Sequence, residues 1–382
     1  MLYLINKNIR VCSSVMFLML ILISGCANTH HIQAVEYSAV KDIKISPVSA
    51  GHRRSMVIDD SRVLWAWGEN GYGQLGDNTT IAKLDPVQII DDVVAVSAGT
   101  YHTMAIKSDG SLWAWGRNRF GEIGDGTTRT RQQPVRIMGD VVYASAGWGH
   151  SLAIRSDGSL WAWGENSAGS VGDGSTVDRL RPVHIMDNII IADASSISMA
   201  ITSDGYLWTW GSNLWGRLGD GTNENQLTPV NIMNDVVNIS YDFNYSLAVR
   251  SDGSLWTWGP GTYGLIEGYG EIYWYYPTQI LEGVAYASAG HSMMIIRDDG
   301  SLWSWERNSR FGRHTREDAQ QEPIYVMDDV VAVSSGTTTL AVRSDGSLWA
   351  WGSNSFGQVG IGSTAPNVID EPVRIKENIL LP

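Results

Sequence analysis

A nine-residue phrase, Ser-Asp-Gly-Ser-Leu-Trp-Ala-Trp-Gly at 108–116, constrains this chain more than anything else in it. It returns at 156–164, at 251–259 with Thr for Ala, and at 344–352; looser copies stand at 60–68, 203–211 and 298–306. The first tryptophan of each pair is Trp65, Trp113, Trp161, Trp208, Trp256, Trp303 and Trp349, so the steps are 48, 48, 47, 48, 47 and 46 residues. Length alone would suggest two or three domains, but a period held across almost all of 382 residues means one repeat architecture.

Each copy reads as a β-meander. Asp-Gly between two alternating apolar runs is a hairpin signal, and a type I′ turn with positive φ at both central residues is expected there. In Leu112-Trp113-Ala114-Trp115 the side chains alternate, so both tryptophans share one face while Leu112 and Ala114 share the other. A large face and a small face suit stacking of one copy on the next. Four strands are expected per repeat. Strand A resembles 93–99, strand B 102–106, strand C carries the Trp pair, and strand D starts at a proline, as in Pro134-Val135-Arg136-Ile137-Met138. Proline is tolerated as the first residue of a strand. Seven such units predict an all-β, seven-bladed β-propeller of four-stranded antiparallel blades.

The residues also resemble a known family. Ser-Ala-Gly-x-x-His-(Ser/Thr)-(Leu/Met)-Ala-Ile, then Ser-Asp-Gly-x-Leu-Trp-x-Trp-Gly, then Asn-x-x-Gly-x-(Leu/Ile/Val)-Gly-Asp-Gly is similar to the regulator-of-chromosome-condensation repeat, from about 43 to 379. The resemblance implies the propeller fold and an interaction platform. The eukaryotic namesake exchanges nucleotide on a small GTPase and docks on chromatin. Secreted bacterial members include an inhibitor of β-lactamases that binds its target with one rim. Fold does not carry function by itself.

The N-terminus bears on which precedent applies. Lys7 and Arg10 precede a nine-residue apolar core at 15–23, too short to span a bilayer and suited to a signal peptide. Ile23-Ser24-Gly25-Cys26 resembles a bacterial lipobox, which implies that Cys26 is acylated and becomes the first residue. The expected organisation is a lipoprotein signal at 1–25, a flexible tether at 26–41 and the propeller at 42–382, in a protein anchored in the bacterial cell envelope on its extracytoplasmic side. The other cysteine, Cys12, falls in the signal, so no disulfide is expected. The net charge of −13 and the absence of a Lys/Arg run argue against nucleic acid and anionic lipid headgroups. Export argues against a small GTPase. The membrane is met through the N-terminal lipid only, and a monomer is expected.

No nucleophile elbow, phosphate loop or Cys/His metal cluster is present. His52, His102, His150 and His291 follow the Ser-Ala-Gly turn, but the slot becomes Ile197, Tyr245 and Thr339 in other repeats, which suits a turn-stabilising hydrogen bond better than a metal ring. Asp77, Asp125, Asp173 and Asp220 supply one carboxylate per Gly-Asp-Gly turn, too few for calcium, so turn geometry is expected. His30-His31 in the tether reads as solvated. No enzyme activity, cofactor or metal is expected.

Departures from the repeat carry the functional reading. Fourteen of 17 tryptophans form the pairs; the others are Trp148, Trp215 and Trp274. Trp215 fills a slot that is Tyr72, Phe120, Tyr263, Phe311 or Phe356 elsewhere. Tyr273, Trp274, Tyr275 and Tyr276 end the irregular fifth repeat. In an antiparallel meander, A–B and C–D loops share one rim, while Ser-Asp-Gly turns and D–A links share the other. Trp148, Trp215 and the 269–276 cluster therefore fall on one rim, together with Tyr101, Tyr241 and Phe243, facing away from the tether. That rim is expected to bind an unidentified protein. A glycan or small ligand on the same aromatics, an enzyme site on the axis, and aromatics folded inward as caps stay open as alternatives. Finally, short D–A links such as Met138-Gly139-Asp140-Val141 suggest that D pairs with the following A. The first strand A, near 43–49, would then be closed by 372–375, with 35–40 as a local competitor.

Overall fold

The computed structural model describes residues 46–242, 245–260, 274–306 and 322–382; of Trp274 and Glu306 it describes the backbone only. The expected signal, tether, Cys26, Phe243 and Tyr273 lie outside the described residues. The chain is a seven-bladed β-propeller: seven antiparallel sheets of four consecutive strands each. Blade 2 is typical, with A at Val93–Ala98, B at His102–Lys107, C at Leu112–Gly116 and D at Arg131–Met138.

The two-faced strand C explains the stacking. Leu112 and Ala114 of blade 2 form one buried cluster with Met104, Ile106 and Ile123 of the same blade and Val141, Ala153 and Trp163 of blade 3. Seven such clusters fill the seven junctions, including the one between blades 7 and 1. In blades 1 to 5 the second tryptophan of the pair is the pin. Trp67, Trp115, Trp163, Trp210 and Trp258 are fully buried. Each donates its Nε1–H to a backbone carbonyl of the preceding blade, at 2.9–3.0 Å from Gln358, Gln74, Glu122, Ser170 and Arg217 respectively. The glycine before each Gly-Asp turn is required for this contact: a Cβ on Gly124 would lie 2.6 Å from Trp163 Nε1, and its φ is +87°.

The first tryptophan of each pair is half-buried and bonds within its own blade. Trp113, Trp161, Trp256, Trp303 and Trp349 donate to the serine that closes the Ser-Asp-Gly-Ser turn, at 2.8–2.9 Å. In blade 4 that serine is Tyr206, and the Trp208 Nε1–H is left buried without a partner. Tyr206→Ser is therefore expected to raise stability by about 1 kcal/mol, read as a higher denaturation midpoint.

Three sequence expectations are corrected. The Asp-Gly turn is not type I′: among its central residues only the glycine has positive φ, as in Gly110 at 76°. Gly110 N–H bonds the Lys107 carbonyl and Asp109 Oδ1 accepts the Ser111 N–H, which makes a type I turn followed by a left-handed glycine. Prolines do not open strand D: Pro134 is the fourth residue of Arg131–Met138. It is tolerated because D is an edge strand with a register shift between Ala114 and Gly116 on its partner. And D does not pair with the next A. Asp140 turns the link with φ 59°, Val141 N–H bonds the Gly110 carbonyl, and the chain steps to the next blade.

The closure of the ring changes accordingly. Residues 372–375 belong to strand D of blade 7, Val368–Lys376, which pairs with Leu348–Ser353. The residues beyond them close the ring. Asn378 has φ 59°, Ile379 N–H bonds the Gly346 carbonyl, and the Asn378 carbonyl accepts the Asp60 N–H, repeating the link seen between other blades. Ile379 then bridges Asp59 and Leu380 N–H bonds the Ile58 carbonyl. The strand A of blade 1 is thus composite: Ile379 takes the place that Val93 has in blade 2, and Val48–Ala50 continues it. Ile379 is 2% exposed, within the cluster that joins blades 7 and 1.

Candidate functional site

The two rims are those the meander requires. A–B loops meet the start of C–D loops, as in Arg117 N–H to the Tyr101 carbonyl and Glu165 N–H to the Gly149 carbonyl. Ser-Asp-Gly turns meet D–A links, as in Ser108 N–H to the Asp92 carbonyl. Ser46, where the described chain begins, and the closing segment 378–380 sit beside Ile58 and Asp59, on the turn side.

On the loop rim, Trp148 is 37% exposed and stacks on Phe120 at 6.3 Å. Tyr101 meets its edge at 6.5 Å and Tyr72 at 5.4 Å. Arg117 is the centre of the group. Its guanidinium lies 4.1 Å from the Tyr101 ring and 5.3 Å from Trp148, and bonds Glu122 Oε1 at 2.8 Å and the Trp148 carbonyl at 2.9 Å. The slot is Glu69, Glu165 and Ser212 in other repeats and Arg307 in the sixth, so the sequence did not single Arg117 out. Residues 72, 101, 117, 120 and 148 come from three blades.

A second group lies over blades 4 and 5. Trp215, 42% exposed and with φ 62°, faces Arg217 at 5.4 Å. Arg217 reaches Ser196 Oγ at 3.4 Å, and Ser196 shares a hydrogen bond of 2.9 Å with the Tyr241 hydroxyl. Tyr275 and Tyr276 are not in a C–D loop as expected but in strand D of blade 5, Trp274–Leu281. Tyr275 packs against Gly216, whose Cβ position would lie 2.5 Å from its ring, whereas Tyr276 is 66% exposed. The side chain of Trp274 is not described.

The histidine slot is also corrected, because the strand register differs from the count along the sequence. Residues opposite the end of strand C are Arg54, His102, His150, Ile197, Ser292 and Thr338, not His52, His291 or Thr339. Arg54, His102 and His150 bridge blade junctions and Ile197 fills one. His102 Nε2 and His150 Nε2 each meet a serine of the next blade at 2.8 Å. Burial, then Arg54, Arg117 and His150, holds His102 well below the ordinary histidine range; burial lowers His150 to about 4. Arg54, 1% exposed, bonds the Thr100 and His102 carbonyls, and burial lowers it to about 9. The turn aspartates are structural as expected: Asp125 accepts from Thr127 and Arg131 and lies 3.3 Å from Asn118 Nδ2. Among the described residues no group of three or more His, Cys, Asp or Glu could hold a metal.

The inner strands carry a ring that sequence reading missed. Ser49, Ser97, Ser145, Asp193, Ser240, Ser288 and Ser334 each accept a backbone N–H of the next blade, the last from Ala50. Six are serine; Asp193 is the exception. Its carboxylate is enclosed by protein, though the residue keeps some surface, and burial raises it to about 6 despite bonds from Tyr241 N–H and Ser145 Oγ. A carboxyl raised in the fold above its unfolded value binds extra protons there, so its contribution falls as pH rises from about 4 to about 6. Asp193→Asn is thus expected to be more stable than the parent at pH 7.5, by on the order of 2 kcal/mol, with the difference vanishing near pH 4. Paired melts across pH check it. His102 and His150, lowered in the fold, lose stability below the ordinary histidine value in both proteins and cancel in the difference.

The comparisons with known proteins agree with this architecture. Residues 23–241 match the RCC1-like domain model, and 330–358 and 345–379 match the regulator of chromosome condensation (RCC1) repeat. No curated protein matches the chain. Among solved structures it is similar to human WBSCR16, with 18% identity, TM-score 0.72, and 82% of this chain and 94% of that one covered. It is similar to Saccharomyces cerevisiae Prp20p, with 18% identity, TM-score 0.72, and coverage of 88% and 89%. The same identity and TM-score relate it to yeast RCC1 (Prp20) bound to Kap60, with coverage of 98% and 91%. Prp20p is described with its binding to Gsp1p and histones. The expected exclusion of a small GTPase is therefore withdrawn, since a propeller of this kind binds the small GTPase Gsp1.

Proposed function

The chain belongs to the RCC1-like family of β-propellers, and from that premise we propose that it is an extracytoplasmic interaction platform that binds a protein partner through its loop rim. It does no chemistry of its own in this reading; similar structures are described by what they bind. The observation that carries the reading is the exposure of two tryptophans outside the repeat pairs on one rim. Trp148 and Trp215 are exposed on the loop rim, and Ser46 and the closing segment are on the other. Exposed tryptophan and tyrosine groups mark binding sites and are frequent hot spots.

Acylation at Cys26 would anchor the chain to the envelope membrane. The test uses the full chain and its Trp148→Ala/Trp215→Ala variant as baits for capture from membranes. Loss of a captured protein by at least tenfold, with the melting temperature within about 2 °C of the parent, supports the reading. Capture unchanged with lowered melting would make both residues caps of the blades. In the same cells, Cys26→Ala should abolish fatty-acid labelling and release the protein from the membrane fraction.

A further inference from the structure

The rim is not chemically uniform. Over blades 1 and 2 an open cleft of about 400 Å³, room for on the order of a dozen waters, is lined by Tyr72, Arg117, Arg119, Thr128 and Thr130. Its cations differ in what they are doing. Arg117 is engaged by Glu122 and the Trp148 carbonyl, and Arg131, just outside, is engaged by Asp125. Arg119 and Arg129 are exposed, and among the described residues neither has a carboxylate within ion-pair reach. Arg119 lies 5.3 Å from the Phe120 ring, which stacks on Trp148. One uncommitted arginine, Arg119, thus lines a polar cleft beside an aromatic shelf, on a protein whose net charge is −13.

We propose that this cleft docks an acidic segment of the protein partner, with a Glu or Asp side chain on Arg119 beside the hydroxyls of Thr128 and Thr130 and an adjacent apolar residue on Trp148 and Phe120. The inference rests on the loop rim being the binding surface and names the chemistry that rim selects. Charge complementarity carries it. Arginine is suited to carboxylates because its planar fork can donate two parallel bonds. The threonine hydroxyls of Thr128 and Thr130 can donate to the same oxygens. Elsewhere the surface acids would repel an acidic segment, so the cleft also sets where on the rim the segment can lie.

The test uses the purified full chain and a fluorescently labelled peptide of six glutamates at low salt, with a peptide of six lysines and a single-stranded oligothymidylate as comparisons. The glutamate peptide is expected to bind the parent and the lysine peptide not to. Arg119→Glu should weaken binding at least tenfold with melting unchanged, and Arg119→Lys should retain most of it. Binding of the glutamate peptide that the charge reversal leaves intact would overturn the inference. So would oligothymidylate binding more tightly than the peptide. Either failure is distinguishable from failure of the rim itself, which the Trp148→Ala/Trp215→Ala capture reads separately.

Discussion

A chain ending at Glu377 is expected to lose about 4 kcal/mol or more of stability and to melt roughly 6 °C below the full-length protein. Deletion of 378–382 removes the burial of Ile379, worth about 1.5–3 kcal/mol. It also removes three backbone hydrogen bonds, from Ile379 N–H to Gly346, Asp60 N–H to Asn378 and Leu380 N–H to Ile58. Each contributes about 1 kcal/mol. The loss falls where blade 7 meets blade 1, so the ring opens at a defined place and amide exchange should rise first in Ile58, Asp59 and Val48. A chain ending at Leu380 is the control, since it keeps the three closing hydrogen bonds and Leu381 is 49% exposed. If the chain ending at Glu377 melted like the parent, Val48–Ala50 alone would hold the junction.

The second large effect is at the Trp pins. Trp163→Ala should cost about 3–5 kcal/mol, because a fully buried ring is lost and a cavity remains between blades 2 and 3. The Glu122 carbonyl also loses the Trp163 Nε1–H, although it keeps the Ser151 hydroxyl at 2.8 Å. Trp161→Ala, at the half-buried partner two residues earlier, should cost less than half as much. The contrast between the two, read as denaturant midpoints at constant m, checks the stacking. Equal losses would mean that the first tryptophan, not the second, joins the blades.

Much of the fold was legible because the forces that set it act locally and repeat. Leu112-Trp113-Ala114-Trp115 states in four residues which face is large and which is small, and the seven junctions follow. Connections were less legible. Met138-Gly139-Asp140-Val141 has the length of a hairpin, and only the positive φ of Asp140 and the bond from Val141 to Gly110 make it a step between blades. The closing role of Ile379 was hidden for the same reason, since a strand completed from the far end of the chain has no local signature. The histidine slot was misread because Arg54, two residues after His52, is the residue that stands where His102 does in the next blade.

The candidate site divides in the same way. That Trp148 and Trp215 would share a rim followed from meander geometry. That Tyr72, Tyr101, Phe120 and Trp148 gather around Arg117 did not, because five residues from three blades meet only in the folded ring. Asp193 stood out against six serines at its slot, but its meaning depends on the hydrogen-bond ring those serines form.

The rim is tested most directly in living cells by a photocrosslinking residue placed at one exposed position at a time. Thr128 and Leu214 are on the loop rim; Asp109 and Asp204 are in Ser-Asp-Gly turns on the other. Protein adducts from Thr128 or Leu214 and none from Asp109 or Asp204 are the expected result. Adducts from Asp109 and Asp204, with none from Thr128 or Leu214, would contradict the account.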